Sequence, residues 1–200
     1  MIETFIITLI IAKIKKYELK NIFKDWSMYL IFIQLLAYIY LTYTIFVNNF
    51  TFIKYQRQIQ IIFIVSYFIV AIKNKLYNFS VFDNVNNKFI KYITSPYIIS
   101  TIFLLIGSGL NNIAIKINNG FMPVYLYTSK LTSFGLNAVL KSMTIPNDYH
   151  VLWDNTIHRA FIITDIIDLY YTVLSIGDVF IALFVGIIIY FTVKQNHYNK

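Results

Sequence analysis

Apolar residues crowd into five stretches of this chain, 1–14, 28–47, 59–72, 97–110 and 173–193, with polar segments between them. A helix that crosses a bilayer needs about 20 apolar residues, because the hydrocarbon core offers no water to backbone groups that lack helical partners. Runs 28–47 and 173–193 meet that length directly. The other three are shorter, with 59–72 extendable toward Phe52 and 97–110 toward Phe89, so they call for snorkelling lysines or helical neighbours. The pattern predicts an all-α fold, a polytopic membrane helix bundle of about five transmembrane helices plus interfacial helices, forming a single membrane domain over 1–200. One long polar excursion, 111–172, separates the last two runs and is expected to be an extracytoplasmic loop. The first run carries Glu3 where a secretory signal has basic residues, and no small-residue cleavage site follows it. It reads as a retained anchor.

Between the first two runs lies "KIKKYELKNIFKDW", in which Leu19, Ile22, Phe23 and Trp26 fall at i, i+3, i+4 and i+7 among lysines. This spacing predicts a helix lying in the cytoplasmic interface, with its apolar stripe in lipid and its lysines on anionic headgroups. A plain basic loop is the simpler alternative. No internal repeat, Gly/Ser linker or second domain is visible.

Composition agrees with the hydropathy pattern. Hydrophobic residues make up 58% of the 200 and charged residues only 13%, against roughly 25% charged in soluble domains. There is no cysteine, which excludes disulfides, thiolate metal sites and thiol nucleophiles. Three histidines give little support to a metal site, and nothing in the chain calls for a cofactor. The net charge of +8 comes from cations interleaved with apolar runs instead of a compact basic domain, so no nucleic-acid partner is expected.

The lysines and arginines instead set an orientation. Lys13, Lys15, Lys16, Lys20, Lys24, Lys73, Lys75, Lys88, Lys91, Lys194 and Lys200 fall on one side of the five-span arrangement. Only Lys54, Arg57, Lys116, Lys130, Lys141 and Arg159 fall on the other. Because the basic side is cytoplasmic, the N-terminus is expected outside and the C-terminus inside.

Three stretches could carry chemistry. In "GSGLNNIAIKINNGFMPV" (107–124), Gly107 and Gly109 allow close approach of a helix or ligand. Asn118, Asn119 and Gly120 signal a turn, and Met122-Pro123 ends the preceding helix. This is either a tight turn at the membrane surface or, with Asn111, a polar floor for a small ligand or lipid headgroup.

"DYHVLWDNTIHRAFIITDIIDL" (148–169) holds His150, Asp154, His158, Arg159, Asp165 and Asp168, enough for an acid/base site or for a surface loop with an Arg159 to Asp ion pair. Asp165 lies in an apolar context where an ionised carboxylate is costly unless paired. "LSIGDVF" (174–180) has Ser175 three residues before Asp178 at the start of an apolar run, the pattern of a capping box. An acid one turn into a span is also a functional candidate, and Gly177 beside it leaves room for a partner.

Asn111, "NNGFMPV" (118–124), His150 with Thr156 and Asp165 downstream, and "LSIGD" (174–178) together resemble the hallmarks of domain-of-unknown-function family 5317. "LKNIF" after the first run is also similar, so the likeness covers nearly the whole chain. Thr164 stands where that family usually has Gly before the acid, and Asn118 where a small residue occurs. The resemblance implies a multi-pass protein of the bacterial cytoplasmic membrane and supplies no activity. A more distant likeness links "LLIGSGLNN" and "SIGDVFIALFVG" to two motif boxes of lipoprotein signal peptidases, which use two Asp residues as a dyad. Asp178 matches the second acid, but Ile115 and Lys116 stand where the first belongs, so Asp165 would have to replace it.

Three functions are therefore weighed. The first is a non-enzymatic membrane protein in contact with the lipid bilayer, with a polar cluster at its outer face that is structural or binds a lipid or small ligand. Its candidate residues are Asn111, Asn118, Asn119, Gly120, Met122, Pro123, His150, Arg159, Ser175 and Gly177. The second is a membrane-embedded aspartyl-type hydrolase with Asp165 and Asp178 as catalytic residues. The third, a transporter subunit, has no inverted repeat or broken helix pair behind it. The oligomeric state is left open.

Overall fold

The computed structural model describes residues 2–46, 55–82, 86–126, 150–169 and 173–198. The chain is mostly helical and divides into two compact units.

The first unit comprises Met1–Tyr40, Gln56–Leu104 and Ala182–Lys200. It contains α1 (Ile2–Ile14), a 3-10 turn at Leu19–Lys24, most of α2 (Trp26–Phe46), α3 (Gln56–Lys73), α4 (Lys88–Ile93), the start of α5 (Pro96–Ile117) and most of α6 (Ile176–Tyr198). Among the described residues, only α5 and α6, of 22 and 23 residues, are by length and composition long and apolar enough to cross a membrane. The apolar stretches Trp26–Leu41 and Gln58–Lys73 are shorter, and α1 has only 13 residues.

Local chemistry explains the helix ends. The α1 chain reverses at Lys16, whose φ is 63°, while the Tyr17 N–H donates to the Ala12 carbonyl at 3.0 Å, the 6→1 bond of a Schellman end. The expected interfacial helix is a 3-10 turn that buries Ile22 and leaves Phe23 and Trp26 exposed.

The extension of the 97–110 run toward Phe89 forms a separate helix. The Asn87 Oδ1 caps the short α4 by accepting from the Phe89 and Ile90 N–H groups. Thr94 then ends α4, and Ser95 accepts from the Ile98 N–H to start α5 at Pro96. Proline suits that first helical position because its missing N–H would have had no helical partner.

Inside this unit, Tyr67 lies fully buried with its ring 4.6 Å from Phe63 and 5.8 Å from Phe184, and Val70, Val185, Ile188 and Ile189 are fully buried as well. Asp25, just ahead of α2, ties distant segments together. Its Oδ1 accepts from the Ser27 N–H at 3.0 Å, the Ser27 hydroxyl at 2.7 Å and Lys73 Nζ at 2.5 Å. Its Oδ2 accepts from Asn74 Nδ2 at 2.8 Å and Asn196 Nδ2 at 3.3 Å. Burial alone would raise this carboxyl, but the five donors outweigh it and hold it at about 2.

The second unit comprises Leu41–Tyr55 and Leu105–Ile181. Its described part corrects the all-α expectation, since the 111–172 segment contains small β structures. Strand β1 (Met122–Val124) pairs in parallel with β2 (His150–Leu152), with Met122 opposite His150 and Val124 opposite Leu152. The other side of β1 takes the Asp165 segment: the Asp165 N–H donates to the Pro123 carbonyl at 3.1 Å, and the Tyr125 N–H to the Asp165 carbonyl at 2.7 Å. The chain then forms β3 (Ile167–Asp168), antiparallel to β4 (Val173–Leu174), which leads straight into Ser175 and α6.

Candidate functional site

Helix α5 runs seven residues past the end of its apolar run at 110, up to the turn signalled by Asn118, Asn119 and Gly120. Asn118 Nδ2 donates to the Ala114 carbonyl at 2.8 Å, which also accepts the Asn118 backbone N–H at 3.3 Å. Asn119 (φ 56°) and Gly120 (φ 93°) then turn left-handed, and the Gly120 N–H closes the end on the Ile115 carbonyl at 2.9 Å. The same Asn118 amide reaches across the fold: Nδ2 donates to the Arg159 carbonyl at 3.1 Å and Oδ1 accepts the Arg159 N–H at 2.7 Å. Asn118 thus clamps the 150–169 segment through its backbone.

At the head of α6 the capping box is formed. The Asp178 N–H donates to Ser175 Oγ at 2.9 Å, and the Ser175 N–H donates to Asp178 Oδ2 at 3.0 Å. Asn111 extends it across to α5. Its Nδ2 donates to Asp178 Oδ1 at 3.0 Å, while its Oδ1 accepts the Ser175 hydroxyl at 2.7 Å. Two glycines make this approach possible. A Cβ on Gly107 would lie 2.5 Å from the Gly177 carbonyl oxygen, and one on Gly177 would lie 2.6 Å from the Gly107 carbonyl and collide with the Asn111 amide. Gly177 therefore leaves no room for a ligand; its space is filled by α5 and by Asn111.

Asp165 stands in contrast to the satisfied Asp178. Its side chain is buried, and among the described residues Oδ1 has no hydrogen-bond partner. Oδ2 faces His150 Nε2 at 3.7 Å, within ion-pair range but too long for a direct hydrogen bond. Burial pushes this carboxyl up to about 7; His150 pulls it back in part, and the negative charge of Asp178 adds a smaller upward push. A group poised there exchanges protons near neutrality and accepts hydrogen bonds once ionised.

The remaining candidates divide by what they touch. Met122 and Pro123 are buried in β1, where they supply backbone and packing. Asn119 and Gly120 are exposed turn residues. The Arg159 side chain is exposed, and among the described residues it makes no ion pair, so the expected Arg159 to Asp bridge is absent there. Asp154 instead accepts from the Thr156 N–H and hydroxyl, and His158 Nδ1 accepts the Asp154 N–H at 2.8 Å. No cluster of three metal-ligating side chains exists among the described residues.

The Asp25 cluster of the first unit escaped the sequence reading. Its one local signal was an Asp two residues before Ser27 at the start of an apolar run, the position of a helix N-cap.

Fold and site together define a mostly helical protein in which, among the described residues, two helices are long and apolar enough to cross a membrane and a small mixed unit holds a cluster of Asn, Ser, Asp and His. The chain matches the family of unknown function DUF5317 over residues 19–190 and belongs to that family. No curated protein and no solved structure matches it.

Proposed function

We propose that this chain is a multi-pass protein of the bacterial cytoplasmic membrane, and that its second unit is an outer-face cap that binds a lipid headgroup or other small ligand at Asp165. In this reading α1, α2, α3, α5 and α6 all cross, with the N-terminus outside and the C-terminus in the cytoplasm. Large apolar side chains stand exposed along α1, α2, α3 and α5, among them Ile10, Leu36, Ile62 and Leu105, which favours a lipid surround. The observation that carries the ligand reading is the buried, unpartnered Asp165 Oδ1. Leaving such an atom without a donor costs about 1–3 kcal/mol, more when it is charged, so a group that donates hydrogen bonds, such as a primary ammonium, fits it best.

The test is thermal unfolding of the detergent-solubilised protein with added phosphatidylethanolamine or phosphatidylcholine. The ammonium-bearing lipid is expected to raise the midpoint of the wild type and to leave that of Asp165→Asn unmoved, since a ligand stabilises only the state that binds it. Equal response of both proteins sinks the reading.

A second reading, an aspartyl-type hydrolase using Asp165 and Asp178, draws support from the near-neutral Asp165 carboxyl and the influence of Asp178 on it. It is weakened by Asp178 itself, both of whose oxygens accept hydrogen bonds inside the cap of α6. Under this reading Asp178→Asn abolishes activity in a protein that stays folded and inserted.

A further inference from the structure

The segment 13–29 in the first unit combines cations and aromatic rings on a folded support, and the function proposed above does not draw on it. Lys13, Lys15, Lys16, Lys20 and Lys24 are all exposed. The two acids of the stretch do little to neutralise them. Asp25 is buried and already bound by Lys73 and four further donors. Glu18 pairs with Lys20 at 3.4 Å.

The segment is held in place from below. Ile22 is buried, the Glu18 N–H donates to His197 Nδ1 at 3.3 Å, and Asn21 Nδ2 donates to the Asn196 carbonyl at 3.1 Å. From this support Phe23 and Trp26 project at 61% and 58% exposure. Phe23 stacks on Phe32 at 5.4 Å, and the Tyr29 hydroxyl donates to the Phe23 carbonyl at 2.8 Å. Aromatic rings beside lysines, one group apolar and the other cationic, match the two layers of a membrane interface.

We propose that residues 13–29 form a docking surface for anionic phospholipid headgroups, with the lysines on the phosphates and Phe23 and Trp26 in the upper acyl layer. The occupant follows from charge: a surplus of lysines selects a net-negative headgroup over a zwitterionic one. Because the segment is pinned to α6 and α2, the surface is preformed and little ordering is lost on binding. The inference rests on the membrane reading above.

Trp26 reports on it directly. The chain has two tryptophans, so Trp153→Phe leaves Trp26 as the sole fluorophore. The protein is reconstituted in phosphatidylcholine vesicles containing the same small mole fraction of either phosphatidylglycerol or phosphatidylcholine brominated on the upper acyl chain. Phosphatidylglycerol is expected to quench Trp26 at least twofold more strongly, and the ratio to fall to one in Lys15→Gln/Lys20→Gln/Lys24→Gln, whose changes are all at exposed positions. Equal quenching by the two lipids in the lysine-bearing protein overturns the headgroup surface and leaves the membrane reading standing. A preference that survives the triple substitution also overturns it. Quenching by neither lipid overturns both.

Discussion

Asp178 and Asp165 belong to the same unit, and the supply of donors separates them. Asp178 accepts one hydrogen bond on each oxygen, from Asn111 and from the Ser175 backbone. Removing it in Asp178→Ala orphans both donors and is expected to cost about 2 kcal/mol, whereas Asp178→Asn keeps one acceptor and should cost about half as much. Urea unfolding in micelles measures the pair, and identical midpoints would contradict the cap.

For Asp165 the sign runs the other way. Its folded carboxyl is raised from 3.8 to about 7, so between those values the folded state holds a proton that the unfolded chain has released. Stability therefore falls as pH rises from about 4 to 7 and levels off above, by up to about 4 kcal/mol at 1.36 kcal/mol per unit. Asp165→Asn should flatten that part of the stability–pH curve. An unchanged slope would show that the carboxyl titrates normally.

At the scale of elements, contact between α5 and α6 in the second unit is set by what their glycines lack. A Cβ at Gly107 or Gly177 meets backbone carbonyl oxygen at 2.5 or 2.6 Å, and backbone cannot move aside as a side chain can. Gly107→Ala and Gly177→Ala should each destabilise by at least about 2 kcal/mol, the scale of overpacking a tight core. Gly109, also in α5, has nothing within 4 Å of its missing Cβ. Gly109→Ala should therefore be neutral or stabilise by up to about 1 kcal/mol through helix propensity. Thermal melts of the three variants check the contrast, and a uniform effect would place the close approach elsewhere.

The β elements obey a different rule. Strand β1 is only three residues long and buried, yet it has partners on both sides, β2 and the Asp165 segment, so its backbone groups need no water.

For the whole molecule, the expected outcome is membrane residence with a defined orientation. The absence of cysteine makes single-Cys labelling clean. A cysteine at exposed Asn155 should react with a membrane-impermeant maleimide in intact cells, and one at exposed Lys20 only after the cells are opened. The reverse pattern would invert the orientation and remove the outer-face site with it. The protein should also stay with the membrane through an alkaline carbonate wash, because apolar side chains this widely exposed have no other favourable surround.

The sequence by itself determined what depends on near neighbours. Apolar runs located the long helices, since burying or lipid-facing side chains must recur along a segment whatever it packs on. The Ser175–Asp178 box was legible because donor and acceptor lie three residues apart. Tertiary structure alone decided the rest. The partners of Ser175 and Asp178 in Asn111 lie 64 and 67 residues away, Arg159 lies 41 residues from Asn118, and Lys73 lies 48 from Asp25. Many asparagines and lysines could have filled those places, and no periodicity distinguishes them. The choice falls to the few whose backbone the packing brings within hydrogen-bond reach.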